Sequence, residues 1–183
     1  MLIVLLLLSL LPCIWCKSFT WNANVDCPTG KAFSTEQSVL PEVRYDGKRL
    51  QQAFQAYPSW LCRPNVTFGL LRCRNHASGF DLRFLRQTAL RFGPARTSSN
   101  SVTFPVSGGF LACEEAKNQG SLILEVRDGQ VVTRLDGFRP RLCGSRVPIH
   151  PLRAQFYLKT QSVFHTYVMW RFHRYCGYKV VSN

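Results

Sequence analysis

The chain has 183 residues, with 23 Lys+Arg against 10 Asp+Glu, and 8 Cys. That length fits one domain or at most two small ones. An apolar share of 46% with 13% aromatics excludes disordered and collagen-like chains. The formal charge of +13 does not describe a fold, but it predicts attraction to anionic surfaces, polyanions or acidic ligands.

Residues 2–16, LIVLLLLSLLPCIWC, form an apolar run of signal-peptide length, short of the ~20 residues of a membrane span. Cleavage is expected near 16–18, with Ser18 or Cys16 as the small residue at the site. Residues 1–18 then form a leader, and 19–183 form a single secreted α+β domain. No Lys or Arg precedes the run and Lys17 follows it. That departure from the usual pattern leaves two alternatives: an uncleaved N-terminal anchor, or residence in the secretory-pathway lumen. No later stretch approaches membrane length without charges, so the mature chain is expected to have no transmembrane span.

Removing the leader also removes Cys13 and Cys16, and leaves Cys27, Cys62, Cys73, Cys113, Cys143 and Cys176. An even count behind a signal peptide predicts three disulfides, with the pairing open. No Cys or His spacing suits zinc, so no metal and no cofactor is expected. Asn65-Val66-Thr67 is a glycosylation sequon and predicts an exposed turn there.

In chain order, residues 19–41 look irregular. Asp46 to Trp60 carries a helical pattern in Leu50, Ala53, Phe54 and Tyr57, with Asp46 as the cap and Pro58 as the stop. Residues 65–74, NVTFGLLRCR, suit a strand. Residues 80–92 fit two periods: Phe80, Leu82 and Phe84 alternate, while Leu82, Leu85 and Ala89 repeat helically. Residues 102–106 and 109–113 are predicted strands broken at Ser107-Gly108. Within 121–135, two apolar runs flank Asp128-Gly129, which predicts a hairpin with a type I′ turn.

Residues 152–176 read two ways. As a helix, Leu152, Phe156, Val163, Tyr167 and Trp170 share a face behind Pro151. As a strand, Phe164, Val168, Trp170 and Phe172 alternate with polar residues. The length without a turn residue favours the helix. The chain is thus predicted to be α+β, with an antiparallel sheet, a long C-terminal helix and disulfide stabilisation.

Several residues could carry chemistry. His165 and His173 are eight apart, nearly on one side of a helix and about 12 Å from each other, too far to share a metal. They could serve two acid–base roles, but a polar, partly exposed helix face is the preferred reading. Glu114 and Glu115 are adjacent, and read as a solvated hairpin end. There is no Gly-x-Ser-x-Gly elbow and no specific nucleic-acid motif. The charge is more informative. No acidic residue follows Asp136, while Arg139, Arg141, Arg146, Arg153, Lys159, Arg171, Arg174 and Lys179 do. These are the candidate anion-binding residues, since Arg forks suit phosphate, sulfate and carboxylate. A second basic run, Arg63 to Arg96, is opposed only by Asp81.

The order of elements, with Leu40-Pro41, Leu50, Phe54, Trp60, Asp128-Gly129-x-Val131, Phe138-Arg139-Pro140, Pro151 and Gln155, resembles a family of uncharacterised bacterial and plant proteins. That family is related to the START-like helix-grip superfamily, and the match spans residues 40–175. The resemblance implies a sheet wrapped around the terminal helix with a cavity between them. The chain departs at 107–115, SGGFLACEE, where the family carries Tyr-Gly-Thr-Leu-x-Gly-His followed by Gly-Glu. That family is also typically neither secreted nor cysteine-rich, and no functional residue is carried over.

Three functions follow in order. The first is a secreted, cationic, non-enzymatic binding protein with an apolar cavity for a small hydrophobic ligand. The second is a surface-docking protein for glycosaminoglycan, anionic membrane or an acidic partner. The third is a secreted hydrolase such as a nuclease, in which His165 or His173 would be essential.

Overall fold

The computed structural model describes residues 19–40 and 47–181. The expected leader and the expected cap at Asp46 lie outside them. The described chain forms a nine-stranded antiparallel sheet and a set of helices that ends in a long one.

The first segment corrects the irregular reading of 19–41. Phe19–Asp26 (β1) and Lys31–Val39 (β2) form a hairpin with a continuous register from Phe19 opposite Ser38 to Asp26 opposite Lys31. The inward face of β2 carries Ala32, Ser34 and Glu36, all buried. A strand whose buried side is small or polar shows no apolar alternation, so its period was hidden.

The next segment is Gly47–Gln55 (α1), Tyr57–Leu61 (α2) and the short Pro64–Thr67 (α3). Pro58 does not end the helical region. It sits in the first turn of α2, where its missing N–H costs nothing. Nor do residues 65–74 form one strand. Pro64 starts a helical turn, Phe68 and Gly69 leave it at φ 54° and 70°, and the strand begins only at Leu71.

A meander follows: Leu71–His76 (β3), Gly79–Phe84 (β4), Gln87–Phe92 (β5), the two-residue Arg96–Thr97 (β6) and Ser101–Gly108 (β7). The ambiguous segment 80–92 is therefore two strands, turned at Leu85 with φ 56°. Residues 109–113 are not a strand. Gly109 turns the chain at φ 113°, where an added Cβ would stand 2.4 Å from the Ala89 carbonyl oxygen. The predicted hairpin is present as Gly120–Arg127 (β8) and Gln130–Phe138 (β9), with Asp128 and Gly129 at φ 50° and 71° as a type I′ turn requires. The sheet order is β1-β2-β9-β8-β7-β5-β4-β3, with β6 beside β7.

The terminal segment is helical, as its length favoured, but it is two helices: Pro151–Lys159 (α4) and Gln161–Val181 (α5). Thr160, at φ −123° and ψ −81°, breaks the helical phase between them. The single apolar face expected from Leu152 to Trp170 is split in consequence. Val163 and Tyr167 are buried, whereas Leu152 and Phe156 point to solvent.

Helix α5 packs on β1, β2 and β9, and α1 lies between α5 and β7. The core between them is aromatic. Phe172 is fully buried and meets Tyr57 and Trp60 edge-on, both at 4.9 Å between ring centroids. Tyr57 continues to Phe104, and Phe104 to Phe80, which stacks on Phe92 at 4.6 Å. These rings occupy much of the space between sheet and helix to which the resemblance assigned a cavity.

Among the described residues there is one disulfide, Cys62–Cys73, which ties α2 to β3, rather than the three expected. Cys27, Cys113, Cys143 and Cys176 are thiols. Cys176 is fully buried on α5. Cys113 lies 3.6 Å from the carbonyl oxygen of Gly144, next to Cys143, and Cys27 is near enough to act on Cys143 electrostatically.

No described helix is long and apolar enough to cross a membrane.

Candidate functional site

The inward face of β2 meets that of β9 with Glu36 directly opposite Thr133. Both side chains are fully buried, and such a directly opposed pair is close enough to bond. Thr133 Oγ1 donates to Glu36 Oε2 at 2.8 Å. A bulge at 136–137, with Gly137 at φ 66°, then returns Phe138 to the buried face.

Helix α5 supplies two histidines to this pair. The His173 imidazole lies 3.2 Å from Thr133 Oγ1 through Nε2 and 2.8 Å from Ser38 Oγ through Nδ1. The network itself assigns the tautomer. Thr133 spends its one proton on Glu36, so it must accept from His173 Nε2–H, and Nδ1 then accepts from Ser38. A neutral imidazole fits its surroundings. Burial pushes the His173 pKa down to about 4, against the opposing pull of the Glu36 carboxylate. Phe19 closes the ring face edge-on at 5.3 Å.

The other histidine faces the other carboxylate oxygen. His165 Nε2 stands 3.5 Å from Glu36 Oε1. Burial raises the Glu36 pKa, but the charge of His165 and the hydrogen bond from Thr133 outweigh it and hold the carboxyl below its usual range. Tyr57, buried in the aromatic core, has its hydroxyl pKa raised by burial and further by the Glu36 charge.

The arrangement is asymmetric. Glu36 Oε2 is hydrogen-bonded, whereas Glu36 Oε1 and His165 Nε2 only face each other at 3.5 Å, and among the described residues neither they nor Ser34 Oγ makes a hydrogen bond of good geometry. Buried polar groups are normally paired by protein, water or ligand. The His165 side chain keeps 19% of its surface exposed while Glu36 has none. The pair therefore reaches the surface at its His165 end and is closed at its Glu36 end. Chemically it can accept a hydrogen bond with a buried carboxylate and exchange one with an imidazole. Its Ser–His contact, Ser38 Oγ to His173 Nδ1 at 2.8 Å, ends on a buried imidazole whose pKa is lowered to about 4, which makes that ring a weak base.

The preferred sequence reading of a polar, partly exposed helix face is corrected for His173, which is buried, while His165 is partly exposed but turns its Nε2 toward Glu36 on the sheet. Glu36, Thr133, Ser34 and Ser38 escaped sequence reasoning altogether. The one available signal was Ala32-x-Ser34-x-Glu36-x-Ser38, small and polar residues at strand spacing with one carboxylate among them.

The anion-binding candidates fall in two places. Arg139 donates to the Ser145 carbonyl at 2.6 Å. Arg153 lies over Gly144, where an added Cβ would stand 2.5 Å from its Nη1. Arg139 and Arg141 both act on Glu115, whose carboxyl is held below its usual range, first by the Cys113 thiol that donates to it. Arg139, Arg141 and Arg153 thus gather around the 141–144 turn, with Arg146 exposed just beyond and Lys159 at the end of α4. On α5, Arg171 donates to the Tyr167 hydroxyl at 3.2 Å and Arg174 stacks over Trp170 at 5.1 Å. Lys179 lies in the last turns of α5, where side chains are not described. The second basic run meets its acid: Arg91 Nε binds Asp81 at 2.9 Å, joined by Thr88 and His76. Glu114 and Glu115 lie in a 3₁₀ turn rather than at a hairpin end. Asn65 is exposed on α3 while Thr67 of the same sequon is buried. Among the described residues, no three His, Cys, Asp or Glu side chains are grouped to hold a metal.

No known protein family and no curated protein matches the sequence. Among solved structures, Ara h 8.0201 is similar at 13% identity and a TM-score of 0.42, over 82% of this chain and 97% of that one. CalU16 from Micromonospora echinospora is similar at 8% identity and a TM-score of 0.34, over 89% of this chain and 96% of that one. The helix-grip description rests on the chain's own sheet order and on the long helix that packs against it.

Proposed function

We propose that the protein is a non-enzymatic binding protein that takes a small, largely apolar ligand at the Glu36–His165 pair, beside the aromatic core rather than within it. A single polar group of the ligand is read by Glu36 and His165. The observation that carries this reading is the meeting of Glu36 Oε1 and His165 Nε2, two buried atoms 3.5 Å apart without a close hydrogen bond, beside an aromatic core and under a His165 side chain that keeps 19% of its surface exposed. A ligand amine, amide or hydroxyl that parted Nε2 from Oε1, which now stand 3.5 Å apart, would bond the carboxylate, and hydrogen bonds to a buried charge are worth about 1.5–3 kcal/mol.

The test uses 1-aminoanthracene, an apolar fluorophore with one amino donor, together with native mass spectrometry of the isolated protein. Saturable probe fluorescence is expected, as is extra mass that leaves on denaturation. Glu36→Gln keeps the shape and removes the charge, and should weaken the probe at least tenfold. Equal affinity for wild type and variant, or no saturable binding and a bare mass, defeats the proposal.

The same reading makes the chain a secreted protein with a cleaved leader. The apolar run 2–16 supports this, and so does the Cys62–Cys73 disulfide, a bond typical of oxidising compartments. Exposure of Asn65 supports a glycan there.

A further inference from the structure

Helix α4 is amphipathic in an unusual sense. Its inner side, Ala154 and Tyr157, is buried against the body, where α4 packs on β1 and on the 141–143 turn. Its outer side carries large apolar residues. Leu152 is 68% exposed and Phe156, one turn on and on the same stripe, is 57% exposed. Leu142 on the packed turn and Val147 just before α4 are also exposed. Side chains of this size seldom stand together in water without a partner.

The surroundings are cationic. Arg141, Arg146 and Arg153 are exposed beside these residues, and Lys159 continues the stripe beyond Phe156. The whole chain after Asp136 carries no carboxylate side chain. Carboxylates near this region from other elements are already engaged: Asp26 at the end of β1 accepts from Thr29, Glu115 is held by Cys113 and by Arg139 and Arg141, and Glu114 is paired with Lys117.

We propose that this face docks on an anionic phospholipid bilayer, with Leu152 and Phe156 entering the headgroup–acyl boundary and the surrounding guanidinium groups binding lipid phosphates. Two features select the bilayer over other anions. A glycosaminoglycan offers sulfates and carboxylates but nothing for protruding Leu and Phe side chains. The apolar residues also stand proud among the cations rather than lining a groove, which is how interfacial helices meet a membrane. The inference is independent of the Glu36–His165 site.

The experiment is co-sedimentation of the isolated protein with large vesicles of phosphatidylcholine, with and without about one-third phosphatidylserine, at physiological salt. The expected result is binding to the anionic vesicles and little to the neutral ones. Leu152→Ser with Phe156→Ser should reduce that binding at least tenfold while leaving retention on heparin unchanged. Arg146→Glu with Arg153→Glu should reduce both. Far-UV circular dichroism and the urea midpoint check that each variant is folded. The proposal is overturned if the folded wild type ignores anionic vesicles, or if the Leu152/Phe156 variant binds them as wild type does. It is also overturned if those substitutions only dissolve a dimer of the chain without changing lipid binding.

Discussion

Acid should destabilise this protein through His173 between pH 6.5 and about 4. The imidazole is 4% exposed, hydrogen-bonded as the neutral tautomer, and its pKa is lowered from 6.5 to about 4 by burial. In that interval the unfolded chain binds a proton that the folded chain refuses. Stability therefore rises with pH across the interval and falls as pH drops through it. Integrated over the window, the contribution is about 3 kcal/mol, fully present above pH 6.5 and gone near pH 4. Glu36 adds in the same direction at lower pH, because its folded carboxyl titrates below its unfolded value. The assay is urea unfolding at several pH values for wild type and His173→Gln, whose amide can still bond Thr133 or Ser38 but does not titrate. The wild type should lose about 3 kcal/mol more than the variant between roughly pH 7 and pH 4. Parallel losses in the two proteins would refute the buried neutral imidazole and the hydrogen-bond chain derived from it.

Two further outcomes are expected. Phe172→Ala removes the ring on which Tyr57 and Trp60 converge, and should cost about 3–5 kcal/mol, read as a lowered urea midpoint with unchanged slope; a loss below about 1 kcal/mol would mean that the aromatic core is not shared between α5 and α2. The Cys143 thiol, pushed up to about 11 by burial first and by neighbouring Cys27 next, should be alkylated far more slowly at mild alkaline pH in the folded protein than in urea, and fast labelling in the folded state would place it in a different environment.

What could be read early depended on how locally each feature is encoded. Asp128-Gly129 makes its turn through the φ preferences of two adjacent residues, so the β8–β9 hairpin was legible. Pro151 starts α4 because its ring suits a first helical turn. Misreadings came where tertiary context overrode local habit. Pro58 resembles a stop but begins α2, since a proline is equally at home in a first turn. Thr160 carries no breaker signature, yet it shifts the phase that would have put Leu152 and Tyr167 on one face.

By itself the sequence determined the α+β class, the β8–β9 hairpin and a charge that rises after Asp136, and by length favoured a helical terminus, because each is written in residues near one another in the chain. Only the tertiary structure decided the site. Glu36, Thr133, His165 and His173 come from three elements far apart in sequence, and nothing local distinguishes a buried carboxylate on β2 from a solvated one. Burial is a property of what packs on a strand. Here it is α5, laid across β2 and β9, that takes water from Glu36 and supplies the His165 imidazole that helps hold its charge.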